Sequence, residues 1–345
     1  MNDQRVRVGF VGAGNNTRVR HIPGFKAIEG VELVSVANRS RASGEKVAAE
    51  FNIPKVYDNW QELVRGDDID AVCIGTWPYM HCEITLAALN AGKHVLTEAR
   101  MAMNAAEAKV MLAASQIRPN LVTQIVPGPP TLEVDSTIQS LLDSGYLGKL
   151  LSLDLNVSQG FVVKAGPLHW RQDKALSGCN ILSMGIWVEC IQRWLGLPAK
   201  VIATGLTAVK ERMDGAGHLK PVTVPDHVDI LAIWSDGAVG HMRFSAVSGL
   251  APAIELWLYG TEGTLRFTPG NGKLYGGQRK DKALSEIVIP PERRVGWRVE
   301  KEFIGAIRGQ EKVMRTSFDQ GVLYMEFTEA VGRSLETGRA ISLPL

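Results

Sequence analysis

Short apolar runs alternate with amphipathic segments along the first third of the chain. The runs contain mainly aliphatic residues, and the segments between them repeat apolar residues at helical spacing. This alternation predicts right-handed βαβ units around a parallel sheet that is buried on both faces. The predicted strands are Val6–Val11, Val31–Ala37, Ala71–Ile74, His94–Thr97 and Leu121–Ile125, and the predicted helices are Ala42–Glu50, Cys82–Ala91 and Ala105–Ser115.

The pattern changes at the segment VPGPP, Val126–Pro130, which breaks regular structure and predicts a domain boundary. Beyond it, most apolar positions alternate with polar ones, as in an antiparallel sheet with one buried face. We predict a helix at Leu132–Ser144, a loop at Lys210–Pro225 and a long helix at Asp319–Thr337. The predicted strands are Leu150–Val157, Val201–Thr207, Val228–Trp234, Ala238–Ser245, Glu255–Tyr259 and Thr264–Thr268.

These patterns predict two domains, which suits a chain of 345 residues. We predict that residues 1–125 form an α/β Rossmann domain with a doubly wound parallel sheet. We predict that residues 126–345 form an α+β domain. The last helix and strand are candidates for packing back toward the first domain.

Composition narrows the classes of function. The net charge of +2 gives no reason to expect nucleic acid or a membrane surface as partner. The N-terminus leads directly into the first predicted strand, and no apolar stretch of membrane-spanning length follows, so we expect neither a signal peptide nor a membrane span. The four cysteines include no C-x-x-C pair, and we expect them to be reduced thiols of a cytoplasmic protein. No metal is expected, because no zinc-type spacing is found among the four cysteines, Cys73, Cys82, Cys179 and Cys190.

A glycine turn follows the first strand directly and precedes a predicted helix. Gly12 suits the tight turn and Gly14 the close approach of a pyrophosphate, with Asn15 and Asn16 at the start of the helix. Thr17 replaces the third glycine of the dinucleotide fingerprint. The alternative is an ordinary turn of another α/β fold, but the βαβ repeats favour a dinucleotide site.

The end of the second strand indicates which dinucleotide binds. NAD sites carry a carboxylate there for the ribose 2′-hydroxyl. Here the residues are Asn38, Arg39, Ser40 and Arg41, which could instead bind a 2′-phosphate. We therefore favour NADP(H). The alternative is that both arginines are solvated and NAD(H) is also accepted.

Several motifs together resemble the glucose–fructose oxidoreductase/inositol dehydrogenase/MocA family. They are GFVGAG, VANRS, TWPYMH and AGKHVLTE in the first half, and YGTEGTL, TEA and TGR in the second. The resemblance implies that residues 1–125 are an NAD(P)-binding Rossmann domain. It implies that residues 126–345 form a domain with a large open antiparallel sheet, which serves substrate binding and oligomerisation. It also implies NAD(P)-dependent oxidoreduction of a sugar or polyol at the cleft between the domains. Oligomerisation through the outer face of the sheet is common in the family, so we expect a homodimer or homotetramer.

The sequence departs from the family at three positions that handle the proton. A lysine is replaced by Ala99, an aspartate by Ser183 and a histidine by Trp187. Oxidation of an alcohol needs a base that reaches the hydroxyl and titrates near the working pH. Alanine and tryptophan cannot serve, and an unassisted serine is a poor base.

The resemblance also assigns site residues. His169 is our candidate base, with Arg100 and Arg171 as further catalytic candidates; the alternative for His169 is a structural hydrogen bond beside Trp170. By the resemblance, three tryptophans map near the cleft, namely Trp77, Trp170 and Trp187. Together they suggest a ring-shaped ligand, although packing is the alternative for each. The remaining cofactor candidates are Thr76, Trp77, His81, Glu98 and Trp170, and the substrate candidates are Tyr79, Ser183, Trp187 and His227.

Three hypotheses follow. The leading one is an NADP(H)-dependent oxidoreductase acting on a carbohydrate-like, polyol or other cyclic alcohol or ketone. The second is a redox-neutral lyase, hydratase or glycoside-cleaving enzyme that retains its NAD(P). The third is a non-catalytic dinucleotide-binding protein, because three chemical groups are replaced.

Overall fold

The computed structural model describes residues 5–158, 160–163 and 165–345. Contacts between residues divide the chain into two compact units. The first comprises Met1–Pro127 and Arg298–Val322, and the second comprises Gly128–Trp297 and Leu323–Leu345. The predicted second domain included residues 298–322, which instead pack with the first unit, because local patterns do not indicate where a distant segment returns.

The first unit contains a six-stranded sheet in the order β3-β2-β1-β4-β5-β6, with all neighbours parallel. The parallel Rossmann sheet is therefore confirmed. Its strands are β1 (Val6–Val11), β2 (Val31–Ala37), β3 (Lys55–Val56), β4 (Ala71–Ile74), β5 (His94–Thr97) and β6 (Thr123–Ile125). Its helices are α1 (Ile22–Lys26), α2 (Arg41–Phe51), α3 (Trp60–Arg65), α4 (His81–Asn90), α5 (Ala105–Gln116) and α9 (Val299–Ile307).

Both faces of this sheet are covered, which is why the strands are apolar throughout. On one face Phe10 of β1 contacts Phe25 edge-on at 6.0 Å, and Phe25 contacts Phe303 of α9 at 6.2 Å. A separate core that includes Val11, Ile74 and residues of α3 and α4 covers other positions. The aromatic contact explains why α9 packs with the first unit. Strand β3 and helix α3 were not predicted because they are too short to show a periodic pattern.

The second unit contains a nine-stranded sheet in the order β16-β15-β14-β13-β7-β12-β11-β8-β17. The predicted sheet is confirmed, with one difference: β7 and β12 pair in parallel, while the other neighbours are antiparallel. The strands are β7 (Leu150–Ser158), β8 (Lys200–Leu206), β11 (His227–Ile233), β12 (Val239–Ser245), β13 (Glu255–Gly260), β14 (Gly263–Thr268), β15 (Lys273–Gln278), β16 (Ser285–Ile287) and β17 (Ile341–Ser342).

The region predicted as a loop at Lys210–Pro225 contains an antiparallel hairpin of β9 (Glu211–Met213) and β10 (Leu219–Pro221). Its strands are three residues long, and residues at both are mostly exposed, so no apolar alternation marks them. The helices that begin in this unit are α6 (Asp135–Asp143), α7 (Lys174–Ser177) and α8 (Met184–Leu195). Helix α10 (Phe318–Thr337) divides between the units after Val322.

One face of the nine-stranded sheet is buried and the other is open. Along β11, Val228 and Ile230 are fully buried, while Leu231 and Ile233 on the opposite face are exposed. Within the ranges that the structure describes, no helix combines the length and apolar character needed to cross a membrane. The same ranges contain no cluster of His, Cys, Asp and Glu arranged to hold a metal ion.

Candidate functional site

The glycine turn lies between the end of β1 and a helix that starts at Asn15. Gly12 has φ +80°, and a Cβ atom there would lie 2.6 Å from Thr76 Cγ2. Gly14 differs, because a Cβ there would meet only the carbonyl oxygen of Gly75, at 3.5 Å. Gly12 is therefore required by the protein's own packing, whereas Gly14 leaves the turn open on one side. Gly75, which sequence analysis did not single out, lets β4 approach the turn, since a Cβ there would lie 2.3 Å from Gly12 O.

Asn38 fixes the glycine turn to the end of β2. Its side-chain Oδ1 accepts a hydrogen bond from the Ala13 N–H at 2.7 Å, and its Nδ2 donates to Ser43 O at 3.2 Å. Ser40 caps α2, and its hydroxyl accepts from the Ser43 N–H. Both side chains therefore have structural partners besides their predicted contact with a cofactor.

The two arginines at this edge, Arg39 and Arg41, differ in their ion pairs. Arg41 pairs with Glu45 at 3.0 Å and with Asp58 at 2.6 Å, and these carboxylates raise the pKa of its guanidinium. Arg39 is exposed and makes no hydrogen bond or ion pair with any residue that the structure describes. Arg39 is thus the cation available at the start of α2, and Asp58 is a carboxylate that sequence analysis did not connect with the site.

His81 joins the loops that follow β4 and β5. It is fully buried, and its Nδ1 and Nε2 lie 2.9 Å from Arg100 O and 3.0 Å from Thr76 O. Burial lowers the pKa of the imidazole, although the carbonyl contacts oppose this effect. His81 was predicted to bind cofactor. Its ring nitrogens face carbonyl oxygens of the protein, so its role in this geometry is to hold the two loops.

The same two loops carry other predicted residues. Trp77 and Tyr79 form a tilted ring pair with centroids 6.5 Å apart, and Tyr79 is exposed. The Thr76 hydroxyl is buried and has no hydrogen-bond partner within the described chain. Arg100 is almost fully buried, so its guanidinium is not an open surface group.

A buried cluster of three ionisable side chains lies beside the glycine turn. His21 Nε2 is 3.0 Å from Glu98 Oε1, and His21 Nδ1 is 2.6 Å from Glu300 Oε1. Asn16 donates from Nδ2 to the same Glu98 oxygen, and Glu98 Oε2 accepts from the Ala99 N–H at 3.2 Å. Asn16 and Glu98 are among the residues predicted from the sequence, whereas His21 and Glu300 are not. Glu300 lies on α9, 279 residues from His21.

This arrangement holds the imidazole in its charged form. Burial alone would lower the pKa of His21, but hydrogen bonds to Glu300 and Glu98 outweigh burial and raise the pKa to about 9. Burial likewise raises the pKa of Glu98, but the contact with His21 reverses the effect and leaves it lowered. Each ring nitrogen faces a carboxylate oxygen, so both act as donors.

His169, the candidate base, lies in the second unit at the start of a short helix. Its Nδ1 accepts a hydrogen bond from the Arg171 N–H at 3.2 Å, and Gln172 Oε1 accepts from the His169 N–H at 3.1 Å, which together form a capping box. A backbone N–H can only donate, so Nδ1 is the unprotonated nitrogen and Nε2 carries the proton. Burial and then Arg171 lower the pKa of this histidine. In this geometry His169 presents a donor, which is contrary to the role of a general base.

Trp170 and Arg171 continue the same surface. The Arg171 guanidinium lies over the Trp170 ring at 4.2 Å, and the His169 and Trp170 rings are 5.6 Å apart. Such a cation–aromatic stack offers a flat face and a positive charge to a ligand.

Other predicted substrate residues occupy different places in the second unit. Ser183 precedes α8 without capping it through its side chain, and Trp187 on that helix is buried, with 3% of its surface exposed. Trp187 therefore packs inside the unit. His227 lies on the open face of the nine-stranded sheet, where its Nε2 contacts Asp229 Oδ2 at 2.8 Å. Asp229 also accepts from Arg243 at 2.9 Å, so His227 belongs to a surface cluster.

The turn fits a dinucleotide on the structure's own evidence. Gly14 leaves room against the backbone, and the first N–H groups of a helix have no partners within that helix. Ligands of open α/β sheets bind outside the carboxyl ends of the strands, where this turn lies. The residues that would hold the phosphates and ribose are Gly12, Gly14, Asn15, Asn16, Asn38 and Arg39.

Comparison with known proteins agrees with this geometry. Residues 6–124 match the model of an oxidoreductase family with an NAD-binding Rossmann fold, and residues 136–266 match the GFO/IDH/MocA C-terminal domain. Oxidoreductase P35 of Formosa agariphila is 29% identical over 180 residues, which cover 51% of this chain and 56% of that protein. Trans-1,2-dihydrobenzene-1,2-diol dehydrogenase of Bos taurus is 27% identical over 253 residues, covering 72% and 69%. The matches span 56%, 60% and 35% of the first three curated relatives.

Solved structures show the same fold. Levoglucosan dehydrogenase in complex with NADH and L-sorbose superposes with a TM-score of 0.88 at 22% identity, covering 99% of each chain. The two matched family models together span most of the sequence, one in each unit. The chain belongs to the GFO/IDH/MocA family of oxidoreductases, whose N-terminal domain is an NAD-binding Rossmann fold.

Proposed function

We propose that this protein is an NADP(H)-dependent oxidoreductase acting on a carbohydrate-like, polyol or other cyclic alcohol or ketone. The observation that carries the cofactor preference is Arg39, exposed and without an ion pair in the described chain, directly after Asn38. A carboxylate at the place of Asn38 would bind the ribose 2′-hydroxyl of NAD and repel a 2′-phosphate. Here an amide occupies that place and a free guanidinium follows, which suits NADP(H).

The cofactor proposal is tested by comparing NADPH and NADH on one variant and its control. Arg39→Ala should weaken NADPH binding about tenfold or more and leave NADH binding unchanged, since only NADPH has the 2′-phosphate. Lys46→Ala, which removes an exposed cation of α2, is the matched control for general charge. Equal weakening of both cofactors by Arg39→Ala would contradict the proposed role of Arg39, and so would NADPH binding that Lys46→Ala weakens as much as Arg39→Ala does.

The substrate class rests on relatives and on aromatic groups that are at least partly exposed. The bovine relative is named for a cyclic diol, and the structural neighbour is named for levoglucosan and was solved with L-sorbose. In this chain Tyr79 beside Trp77, and Trp170 beside Arg171, present flat rings that suit the C–H face of a cyclic substrate. The proposed test is a screen of sugars, polyols and cyclic diols for a change in nicotinamide absorbance.

A second candidate function is a redox-neutral reaction with retained cofactor. Ala99, Ser183 and Trp187 replace the expected proton-handling groups, and Nδ1 of His169 is occupied by a backbone N–H. Substrate consumption without net absorbance change, in protein that keeps its dinucleotide through purification, would favour this candidate. Binding of dinucleotide without conversion of any compound would instead favour a non-catalytic role.

We also propose a homodimer or homotetramer built through the open face of the nine-stranded sheet. Leu231, Ile233, Val239, Ile202 and Leu206 are each at least 41% exposed on neighbouring strands of that face. An apolar group of this kind usually marks an interface. Sedimentation should give a dimer or larger, and Leu231→Lys should shift the mass toward the monomer.

A further inference from the structure

We propose that the carboxylates in the cluster of His21, Glu98 and Glu300 strengthen binding of the oxidised nicotinamide dinucleotide relative to the reduced form. In this proposal Glu98 acts from the cofactor edge, and Glu300 adds a second buried negative charge on the other side of His21. The proposal rests on the proposed function, since it concerns the dinucleotide that the turn would hold.

The cluster of His21, Glu98 and Glu300 carries a net negative charge. His21 lies between two carboxylates, with Nδ1 2.6 Å from Glu300 and Nε2 3.0 Å from Glu98. Both nitrogens must donate, so the ring is an imidazolium with one positive charge beside two negative ones. The side chains of His21 and Glu300 are 0% and 4% exposed, so water screens their charges only weakly.

The cluster lies next to the edge of the sheet where the cofactor would bind. Glu98 follows the last residue of β5, at the carboxyl end of the parallel sheet, and its Oε1 accepts a hydrogen bond from Asn16 of the glycine turn. Dinucleotides on this fold bind along that edge, with the pyrophosphate at the turn. The side chain of Asn16 therefore links the cluster to the backbone that would hold the cofactor.

The oxidised and reduced cofactors differ in the charge of the nicotinamide ring. The nicotinamide ring carries a positive charge when oxidised and none when reduced. A nearby group of charges with an excess of carboxylate favours the cationic ring by Coulomb attraction. Arg100 brings a cation to the same loop, so the inference concerns the difference that one carboxylate makes, which a comparison of the two cofactor states isolates.

Glu300→Gln tests this inference, because the change removes one buried charge and keeps the size of the side chain. Glu302→Gln is the matched control. Glu302 lies on the same helix, is similarly buried, and accepts the N–H groups of Met314 and Arg315 away from His21. Dissociation constants of NADP⁺ and NADPH, and of NAD⁺ and NADH, are measured at about pH 6, on the acid side of the ordinary pKa of histidine, which favours the charged ring.

We expect the ratio of the oxidised to the reduced dissociation constant to rise roughly three- to tenfold in Glu300→Gln, the scale of one partly screened charge. The ratio should stay unchanged in Glu302→Gln. Because the ratio compares two ligands on one protein sample, partial unfolding of a variant does not alter it. Glu98→Gln should shift the ratio in the same direction and by at least as much.

An unchanged ratio in both Glu300→Gln and Glu98→Gln, with the wild-type protein binding dinucleotide normally, would overturn this inference and leave the proposed function intact. An equal shift in Glu302→Gln would also overturn it, because the effect would then be general to α9. Failure of the wild-type protein to bind any dinucleotide would overturn the proposed function together with this inference.

Discussion

The Nδ1 atom of His21 lies 2.6 Å from Oε1 of Glu300, although the two residues are 279 positions apart. A buried ion pair thus attaches α9, a late segment of the chain, to the helix that follows the glycine turn. Gly24 makes room for this contact, since a Cβ there would lie 2.7 Å from the Glu300 carboxyl carbon. The first unit is therefore complete only when residues 298–322 pack against it.

This ion pair predicts that stability falls at alkaline pH. The pKa of His21 rises from 6.5 in the unfolded chain to about 9 in the folded protein. The folded state therefore binds this proton more tightly than the unfolded chain does. The contribution of the charged His21 ring to stability is fully present below pH 6.5 and is lost as the pH rises through about 9. We expect the free energy of unfolding in urea to fall by roughly 1–3 kcal/mol over this range.

The control for the pH prediction is His21→Gln, which cannot titrate. It should be less stable than wild type at pH 6.5 but show a flatter dependence between pH 6.5 and 9. A wild-type slope equal to that of His21→Gln would mean that His21 does not hold its proton as the geometry indicates.

The two glycines of the turn should respond differently to alanine. Gly12→Ala places a Cβ 2.6 Å from Thr76 Cγ2 at φ +80°, so we expect a loss of about 1–3 kcal/mol in unfolding free energy. Gly14→Ala has only Gly75 O near it, at 3.5 Å, so its stability should change by less than about 0.5 kcal/mol. Its NADPH affinity should nevertheless fall tenfold or more, since the added methyl lies where the pyrophosphate would approach (~1.4 kcal/mol per tenfold).

Thermal unfolding and NADPH titration of both variants check this prediction. Normal NADPH binding by a stable Gly14→Ala would contradict the assignment of the turn as the phosphate site.

The sequence was informative where structure is local. The strand Val6–Val11 and the turn at Gly12 follow from apolar runs and glycine chemistry, and both were found with correct bounds. His21 and Glu300 could not be found in this way, because neither belongs to a motif and their contact depends on packing of a distant helix. His169 shows a second limit, since only the structure reveals which of its nitrogens is occupied.

Asn38 should determine both the shape of the turn and the choice of cofactor. Asn38→Asp keeps the acceptor for the Ala13 N–H at 2.7 Å and loses the donor to Ser43 O. It also places a carboxylate where a 2′-phosphate would bind, so NADPH affinity should fall at least tenfold relative to NADH (~1.4 kcal/mol). Asn38→Ala is the comparison, since it removes the contact with the turn and should weaken both cofactors. A selectivity unchanged in Asn38→Asp would place the 2′ end of the cofactor elsewhere.

His169 should prove a positioning residue rather than the base. Asn at this position can accept from the Arg171 N–H as His169 Nδ1 does, at 3.2 Å in the wild type. With a substrate from the absorbance screen, His169→Asn should lower kcat/KM less than about tenfold and leave the shape of the pH profile unchanged. Loss of a general base would instead cost about 10²–10⁴-fold and remove one limb of the profile, and that result would restore the catalytic assignment.

Arg193 should be among the most sensitive positions of the second unit. Its side chain is largely buried, with 9% of its surface exposed. The guanidinium contacts Asp135 at 2.7 Å, Glu189 at 3.3 Å and the Gly128 carbonyl oxygen at 3.2 Å. Glu189 also accepts the Gly128 N–H at 2.8 Å, so this group holds the chain where the second unit begins. Burial alone would lower the pKa of Arg193, but the neighbouring groups raise it, which keeps the cation charged.

Arg193→Met leaves the two carboxylates in a buried place without this cation, and we expect a loss of about 3–5 kcal/mol in the free energy of unfolding. Arg279→Met removes an arginine whose pair with Glu262 is largely exposed, and it should cost less than about 0.5 kcal/mol. Adding Glu189→Gln to Arg193→Met should recover part of the loss, because it removes one buried charge and keeps an acceptor for the Gly128 N–H. If the single and double variants were equally unstable, lost packing of the arginine side chain, rather than uncompensated charge, would account for the effect.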